Sequence, residues 1–172
     1  MKTIISEKIA RILKNKKNLE EKLNVKITNR GREVFIEGTP ENEYIAEKVI
    51  DALNFGFSFS TAILIKERNF IFEIINIKQN TNRKDLQRVR ARIIGKNGKT
   101  LKTLNQLTGC NFELKDNFVG IICDPESLKN GQEAVISIIR GAKHSNVYNF
   151  LEKRMAKPVL DLGLKTKRNK KL

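Results

Sequence analysis

The chain has 172 residues, 34 of them Lys or Arg and 19 Asp or Glu, for a formal net charge of +15. That length suits one or two compact domains, and a hydrophobic content of 40% excludes a bare polyelectrolyte. No apolar run nears the roughly 18 residues of a membrane span, no secretion signal opens the sequence, and Cys110, Cys123 and His144 are too few for a disulfide scaffold or a four-ligand zinc site. A Ser-His-Asp hydrolase, a metalloenzyme and a secreted toxin fit poorly. The composition predicts a soluble, cytoplasmic binder of a polyanion that needs no cofactor or metal.

In chain order, Thr3 to Ile5 reads as a short strand, and Ile9, Ile12 and Leu13, then Leu19 and Leu23, sit at helical spacing. Val25 to Ile27 and Val34 to Ile36 read as strands around a turn at Asn29-Arg-Gly31. Thr39 caps a helix with Pro40 at its first position, and Ala46, Val49, Ile50 and Leu53 form the apolar stripe. Asn54 to Arg68 is too apolar for a loose linker and holds a short helix around Thr61 to Ile65.

The pattern then repeats. Phe70 to Lys78 suits a strand; Leu86, Val89 and Ile93 mark a helix; Gly95 to Gly98 interrupts it; and Leu101, Leu104 and Leu107 mark the next helix. Asn111 to Leu114 and Phe118 to Cys123 are strands around the turn Lys115-Asp-Asn117, and Asp124-Pro125 opens a further helix as Thr39-Pro40 does. A shift of 85 residues lays Leu19, Leu23, Val25 and Ile27 on Leu104, Thr108, Cys110 and Phe112, and Val34, Ile36 and Pro40 on Val119, Ile121 and Pro125. A one-residue slip then lays Ala46 to Ile50 on Gln132 to Ile136. This is an internal duplication with the order strand, helix, helix, strand, strand, helix. Val147, Phe150, Leu151 and Met155 form the stripe of a last helix that packs on the second copy.

The charge follows the second copy. Residues 1–82 hold 14 Lys or Arg against 11 Asp or Glu, a net of +3, and residues 83–172 hold 20 against 8, a net of +12. The dense stretch Arg83, Lys84, Arg88, Arg90, Arg92, Lys96, Lys99, Lys102 surrounds Ile93-Ile-Gly-Lys-Asn-Gly-Lys-Thr100. Two glycines three apart permit a sharp turn and close approach to a phosphate, and the free N–H groups of the next helix favour an anion. Lys96 and Lys99 neutralise it, Arg88, Arg90, Arg92 and Lys102 extend the electrostatic path, and Ile93, Ile94, Leu101 and Phe112 are candidates for an apolar groove that receives unstacked bases. Together Gly95, Lys96, Asn97 and Gly98 have the logic of the GxxG loop of KH domains, which clamps about four nucleotides of single-stranded nucleic acid. Gly98-Lys99-Thr100 also ends like a P-loop, but that motif needs glycine at position 93, where this chain has Ile. The first copy places Ala10 and Leu13 where the second has its glycines. The fold expected is α+β: a degenerate type I KH domain (βααββα) with its junction over 1–66, a KH domain with intact GxxG over 67–143, and a C-terminal helix with a basic tail over 144–172. The motif alone leaves open a KH adaptor in RNA decay or translation control.

The run from Leu86 to Gly109, followed by Gly141-Ala-Lys-His-Ser-Asn-Val-Tyr-Asn-Phe-Leu-Glu-Lys-Arg154, resembles the archaeal Dim2p-type KH proteins of ribosome assembly and their eukaryotic partner-of-Nob and Krr-type relatives. The resemblance reaches to about Leu164. It implies a non-enzymatic RNA-binding factor in small-subunit biogenesis. Such a factor grips the single-stranded 3′ region of small-subunit rRNA through its second KH domain and assists pre-rRNA processing. It also implies two partners, the PIN-domain endonuclease Nob and the alpha subunit of translation initiation factor two.

Overall fold

The computed structural model describes residues 1–155; the basic tail cluster Lys165 to Lys171 lies outside them. Two three-stranded antiparallel sheets carry the chain. The first is built from β1 (Lys2–Ile5), β2 (Lys26–Arg30) and β3 (Glu33–Glu37), in the spatial order β1-β3-β2. Its helices are α1 (Ile9–Lys14), α2 (Lys16–Leu23) and α3 (Pro40–Phe55). Val34 and Ile36 alternate inward along β3, and with Ile27, Ile12 and Leu19 they are fully buried. Two single-turn helices follow, α4 (Phe59–Ala62) and α5 (Leu64–Glu67), where one short helix was expected.

The second sheet repeats the plan with β4 (Ile71–Asn76), β5 (Asn111–Lys115) and β6 (Phe118–Cys123), ordered β4-β6-β5. Its helices are α6 (Leu86–Ile94), α7 (Lys99–Thr108) and α8 (Pro125–Arg140), and α9 (His144–Met155) packs on α7 and α8. β4 stops two residues short of the expected Lys78. The Asn76 side chain accepts the Lys78 N–H at 2.9 Å and turns the chain into a 3₁₀ turn, Lys78–Asn80. The first hairpin turns at Gly31-Arg32, slightly beyond the expected Asn29 to Gly31, because Gly31 takes the left-handed conformation (φ +60°).

From Leu19 onward the duplication holds at a constant 85 residues, and the expected slip is absent. Both α3 and α8 run for 16 residues from a proline, and the buried Ala46, Val49, Ile50 and Leu53 fall on Gly131, Ala134, Val135 and Ile138. The side chains of Thr39 and Asp124 cap the two helices, Asp124 accepting the Glu126 and Ser127 N–H groups at 3.0 Å each. The register breaks further upstream. From buried Ile12 to buried Leu19 is seven positions, and from buried Ile93 to buried Leu104 eleven. The first unit is therefore four residues shorter between its two helices, the length of a GxxG. It has no room for a four-residue glycine turn between its helices. Ala10 and Leu13, expected at the glycine positions, lie inside α1, and only Asn15 separates α1 from α2.

The two units share an aromatic joint. Phe55 at the end of α3, Phe57, and Phe72 on β4 have ring centroids 5.8–6.0 Å apart. Phe55 and Phe57 lie against β6 at Gly120, where a Cβ would sit 2.7 Å and 2.8 Å from their rings. Ile122 of β6 is buried in the first unit's core, whereas Val119, Ile121 and Cys123 of the same strand belong to the second. No helix among the described residues is long and apolar enough to cross a membrane.

Candidate nucleic-acid interface

The glycine loop is set by the ends of two helices. Asp85 caps α6, its carboxylate accepting the Arg88 N–H at 3.0 Å. Val89 and Ile93, four apart on one face, bury α6 in the core. Gly95 ends the helix by donating to the Ala91 carbonyl at 2.8 Å, then turns to φ +74°. A Cβ at Gly95 would come within 2.8 Å of both the Cβ and the backbone nitrogen of Thr100, which is itself buried. Gly98 donates to the Gly95 carbonyl at 3.2 Å, closing a tight turn in which Asn97 (φ +53°) and Gly98 (φ +73°) are both left-handed. A Cβ at Gly98 would meet nothing within 4 Å. One glycine packs the loop and the other faces open space.

α7 starts at Lys99 with no side-chain cap and no acidic residue in its first turn. The Lys99 N–H donates to the Lys96 carbonyl, and the uncapped first turn beyond it presents the positive end of the helix dipole. Lys96, Asn97 and Lys99 are exposed around it, and Lys102 is exposed one turn on. Two charged side chains thus stand beside a helix start that carries no carboxylate in its first turn, an arrangement that favours an anion.

The expected apolar residues divide. Ile94 is 37% exposed beside the loop, and Leu101 is half-buried. Ile93 and Phe112, expected in the groove, are core instead. Ile93 has no exposed surface, and the tip of the Phe112 ring would lie 3.4 Å from a Cβ at Gly131 of α8. Both point from their elements toward the sheet–helix interior, which helical and strand periodicity alone cannot distinguish from a groove.

The arginines divide as well. Residues two apart on a helix are turned by about 200°, so Arg88, Arg90 and Arg92 cannot share one path. Arg88 is exposed. Arg90 donates to the Asp116 carbonyl in the β5–β6 turn at 3.3 Å. Arg92, expected on the electrostatic path, is held at the end of α8 by donating to the Ala142 carbonyl at 2.6 Å. Its counterpart, one position before the buried isoleucine of the first unit, is Arg11, which donates to the Gly56 carbonyl at the end of α3 at 2.7 Å. The same strut occurs in the unit without a clamp, so it serves the fold. His144 completes it, its Nε2 lying 2.9 Å from the Arg92 carbonyl at the start of α9. In the first unit, Lys8 bonds the Phe55 carbonyl and Lys22 pairs with Glu67.

In the sequence Thr100 stands out only as the end of the P-loop-like Gly98-Lys99-Thr100, and its packing against Gly95 is a structural finding. A GxxG turn joining two helices over a three-stranded antiparallel sheet defines a KH domain, a single-stranded nucleic-acid-binding class. Residues 71–156 match the family model for the second KH domain of Pno1, described as a eukaryotic-type KH domain (KH-domain type I), and the chain belongs to this family. It is 30% identical over 149 residues to the KH domain-containing protein MJ0443 of Methanocaldococcus jannaschii, covering 83% of this chain and 66% of that protein. It is 30% identical over 115 residues to the pre-rRNA-processing protein pno1 of Emericella nidulans, covering 64% of this chain and 45% of that protein. The chain thus spans just under two thirds of the archaeal relative and less than half of the fungal one. Dim2p of Pyrococcus horikoshii superposes with a TM-score of 0.81 at 28% identity, covering 89% of this chain and 98% of that one. The aDim2p chain of the a/eIF2alpha–aDim2p–rRNA complex from the same organism gives the same score and identity, covering 90% and 93%.

Proposed function

We propose that this chain is a non-enzymatic, cytoplasmic RNA-binding factor of small-subunit biogenesis that grips the single-stranded 3′ region of small-subunit rRNA and assists pre-rRNA processing. The observation that carries the reading is the open, uncapped start of α7 behind Gly98, flanked by Lys96 and Lys99. The backbone at Gly95, Asn97 and Gly98 cradles a phosphate and the two lysines neutralise its neighbours. Ile94 and Leu101 offer the apolar contact for bases, with Arg88 and Lys102 as outlying charges. Residues 67–143 form the gripping unit, 1–66 the supporting unit without a clamp, and 144–172 a C-terminal extension. The names of the fungal relatives and the composition of the Pyrococcus complex support rRNA and the alpha subunit of initiation factor two as partners. The family resemblance adds the endonuclease Nob.

The test is Gly98→Asp. Aspartate tolerates the left-handed conformation better than most residues, and its side chain meets open space, so the fold survives. Its carboxylate occupies the phosphate position, so affinity for single-stranded RNA falls by about tenfold or more, the worth of at least one charge-assisted contact. Lys96→Gln with Lys99→Gln makes the salt dependence shallower by about 1.4, two phosphates at roughly 0.7 each. Unchanged affinity in a folded Gly98→Asp protein refutes the reading.

A further inference from the structure

β1 reaches α1 through three residues, but β4 reaches α6 through nine. The longer connection occurs only in the unit that carries the glycine loop. It is ordered by its own side chains: Asn80 Nδ2 donates to the Asn76 carbonyl at 2.9 Å, and the Arg83 N–H donates to Thr81 Oγ1 at 3.2 Å. With the end of α8 it walls a cleft of about 480 Å³ lined by Gln79, Asn80, Thr81, Asn82, Arg83 and Arg140. No carboxylate lines it.

The cleft concentrates positive charge. A Cβ at Gly141 would lie 3.2 Å from Arg83 Cζ and 3.6 Å from Arg92 Nη1, so these two guanidinium groups flank one point. Arg92 is engaged by the Ala142 carbonyl. Arg83 and Arg140 form no ion pair with the described residues. Two cations in one cleft and a third beside Arg83, with no carboxylate in the lining, attract an entering anion. Guanidinium forks match phosphate oxygens in pairs. The remaining walls offer three amides and a hydroxyl, donors and acceptors suited to a sugar or a base edge, and the volume lies in the range of small-ligand sites.

The geometry points to a second nucleotide subsite, in which Arg83 and Arg140 hold a backbone phosphate of the RNA beyond the four or so nucleotides in the glycine loop. This rests on the RNA-binding reading above. An acidic peptide shares the charge but finds no apolar pocket here for its side chains, so the nucleotide is the occupant the lining favours.

The experiment compares the full chain with its Arg83→Gln/Arg140→Gln variant by fluorescence anisotropy. The probes are randomised single-stranded RNA of about four nucleotides, enough for one KH groove, and of about fifteen. The double variant should bind the longer RNA about tenfold more weakly, with a salt slope shallower by about 0.7, one phosphate, and bind the short RNA as the parent does. Gly98→Asp should weaken both. Asn82→Asp, which places a carboxylate in the cleft without touching the Arg92 strut, should reproduce the loss and guards against a misfolded double variant. Unchanged affinity and slope for the longer RNA in the double and Asn82→Asp variants overturns the subsite while Gly98→Asp still reports on the loop. A glutamate oligopeptide that binds the parent but not the double variant, with RNA indifferent to the change, assigns the cleft to protein instead. Failure of the parent to bind either RNA refutes the RNA reading itself, and the subsite with it.

Discussion

At the scale of single residues, the two loop glycines do different work. Gly95→Ala forces a Cβ against buried Thr100 at a positive φ with extended ψ, a region almost exclusive to glycine, and should destabilise the protein by about 1–3 kcal/mol. Gly98→Ala meets open space and should cost about 1 kcal/mol, for backbone conformation alone. Urea unfolding of the pair checks the difference. The sequence marked both glycines as loop formers, because spacing and neighbouring lysines are local facts. Their division of labour was not legible, since it depends on where Thr100 folds back. Asp51 on α3 makes a second residue-scale prediction. Burial, and then the neighbouring Glu47, raise its carboxyl pKa above the ordinary aspartate value. The folded state therefore holds the Asp51 proton more tightly than the unfolded chain does, and stability is lost as pH rises through that range. Asp51→Asn should raise the melting midpoint at pH 7 and leave it nearly unchanged near pH 3, where the carboxyl is protonated in both states. Cys123 is fully buried, and its thiol pKa is pushed up by the hydrogen bond with Cys110 and by burial. Both thiols should react with an alkylating reagent only as fast as the protein opens.

At the scale of elements, capping and periodicity were the legible part. Thr39-Pro40 and Asp124-Pro125 announced two helices, and the helices begin there. What periodicity could not say is which apolar face meets a ligand. Ile93 and Phe112 satisfied every pattern for a groove and are core; Ile94, one residue along, is the exposed one. Arg92 failed in a related way, because its charge suggested RNA while its geometry ties α6 to the end of α8. The four-residue difference before α2 is likewise invisible to a fixed 85-residue shift, which sets Ala10 and Leu13 against Gly95 and Gly98. Arg92→Ala should destabilise its unit by about 1–3 kcal/mol, the cost of leaving a partly buried carbonyl unsatisfied, and Arg11→Ala, whose bond is exposed, by about 1 kcal/mol or less. Neither should change RNA affinity per folded molecule, a split read by pairing denaturation with anisotropy.

At the scale of the whole molecule, the apolar composition of Asn54 to Arg68 already spoke against a loose linker, and the structure explains why. Phe55 and Phe57 fill the surface that Gly120 leaves bare on β6, and Ile122 of that strand is core to the opposite unit. No local pattern marks where these rings dock, because Gly120 lies more than 60 positions from Phe55 and Phe57. Phe57→Ala should cost about 3–5 kcal/mol, as for other buried aromatic truncations. It should also turn a single thermal transition by calorimetry into two, because it removes contacts that couple the units rather than those within either one.

The seam at Gly120 also makes the molecule a gauge. A hinge between the halves would let the two sheets swing independently. With aromatic rings seated in a strand that both cores share, the distance from the first sheet to the glycine loop is set by the fold. The unit without a glycine turn is then the fixed arm of a caliper whose other jaw is the loop at Gly95 to Gly98.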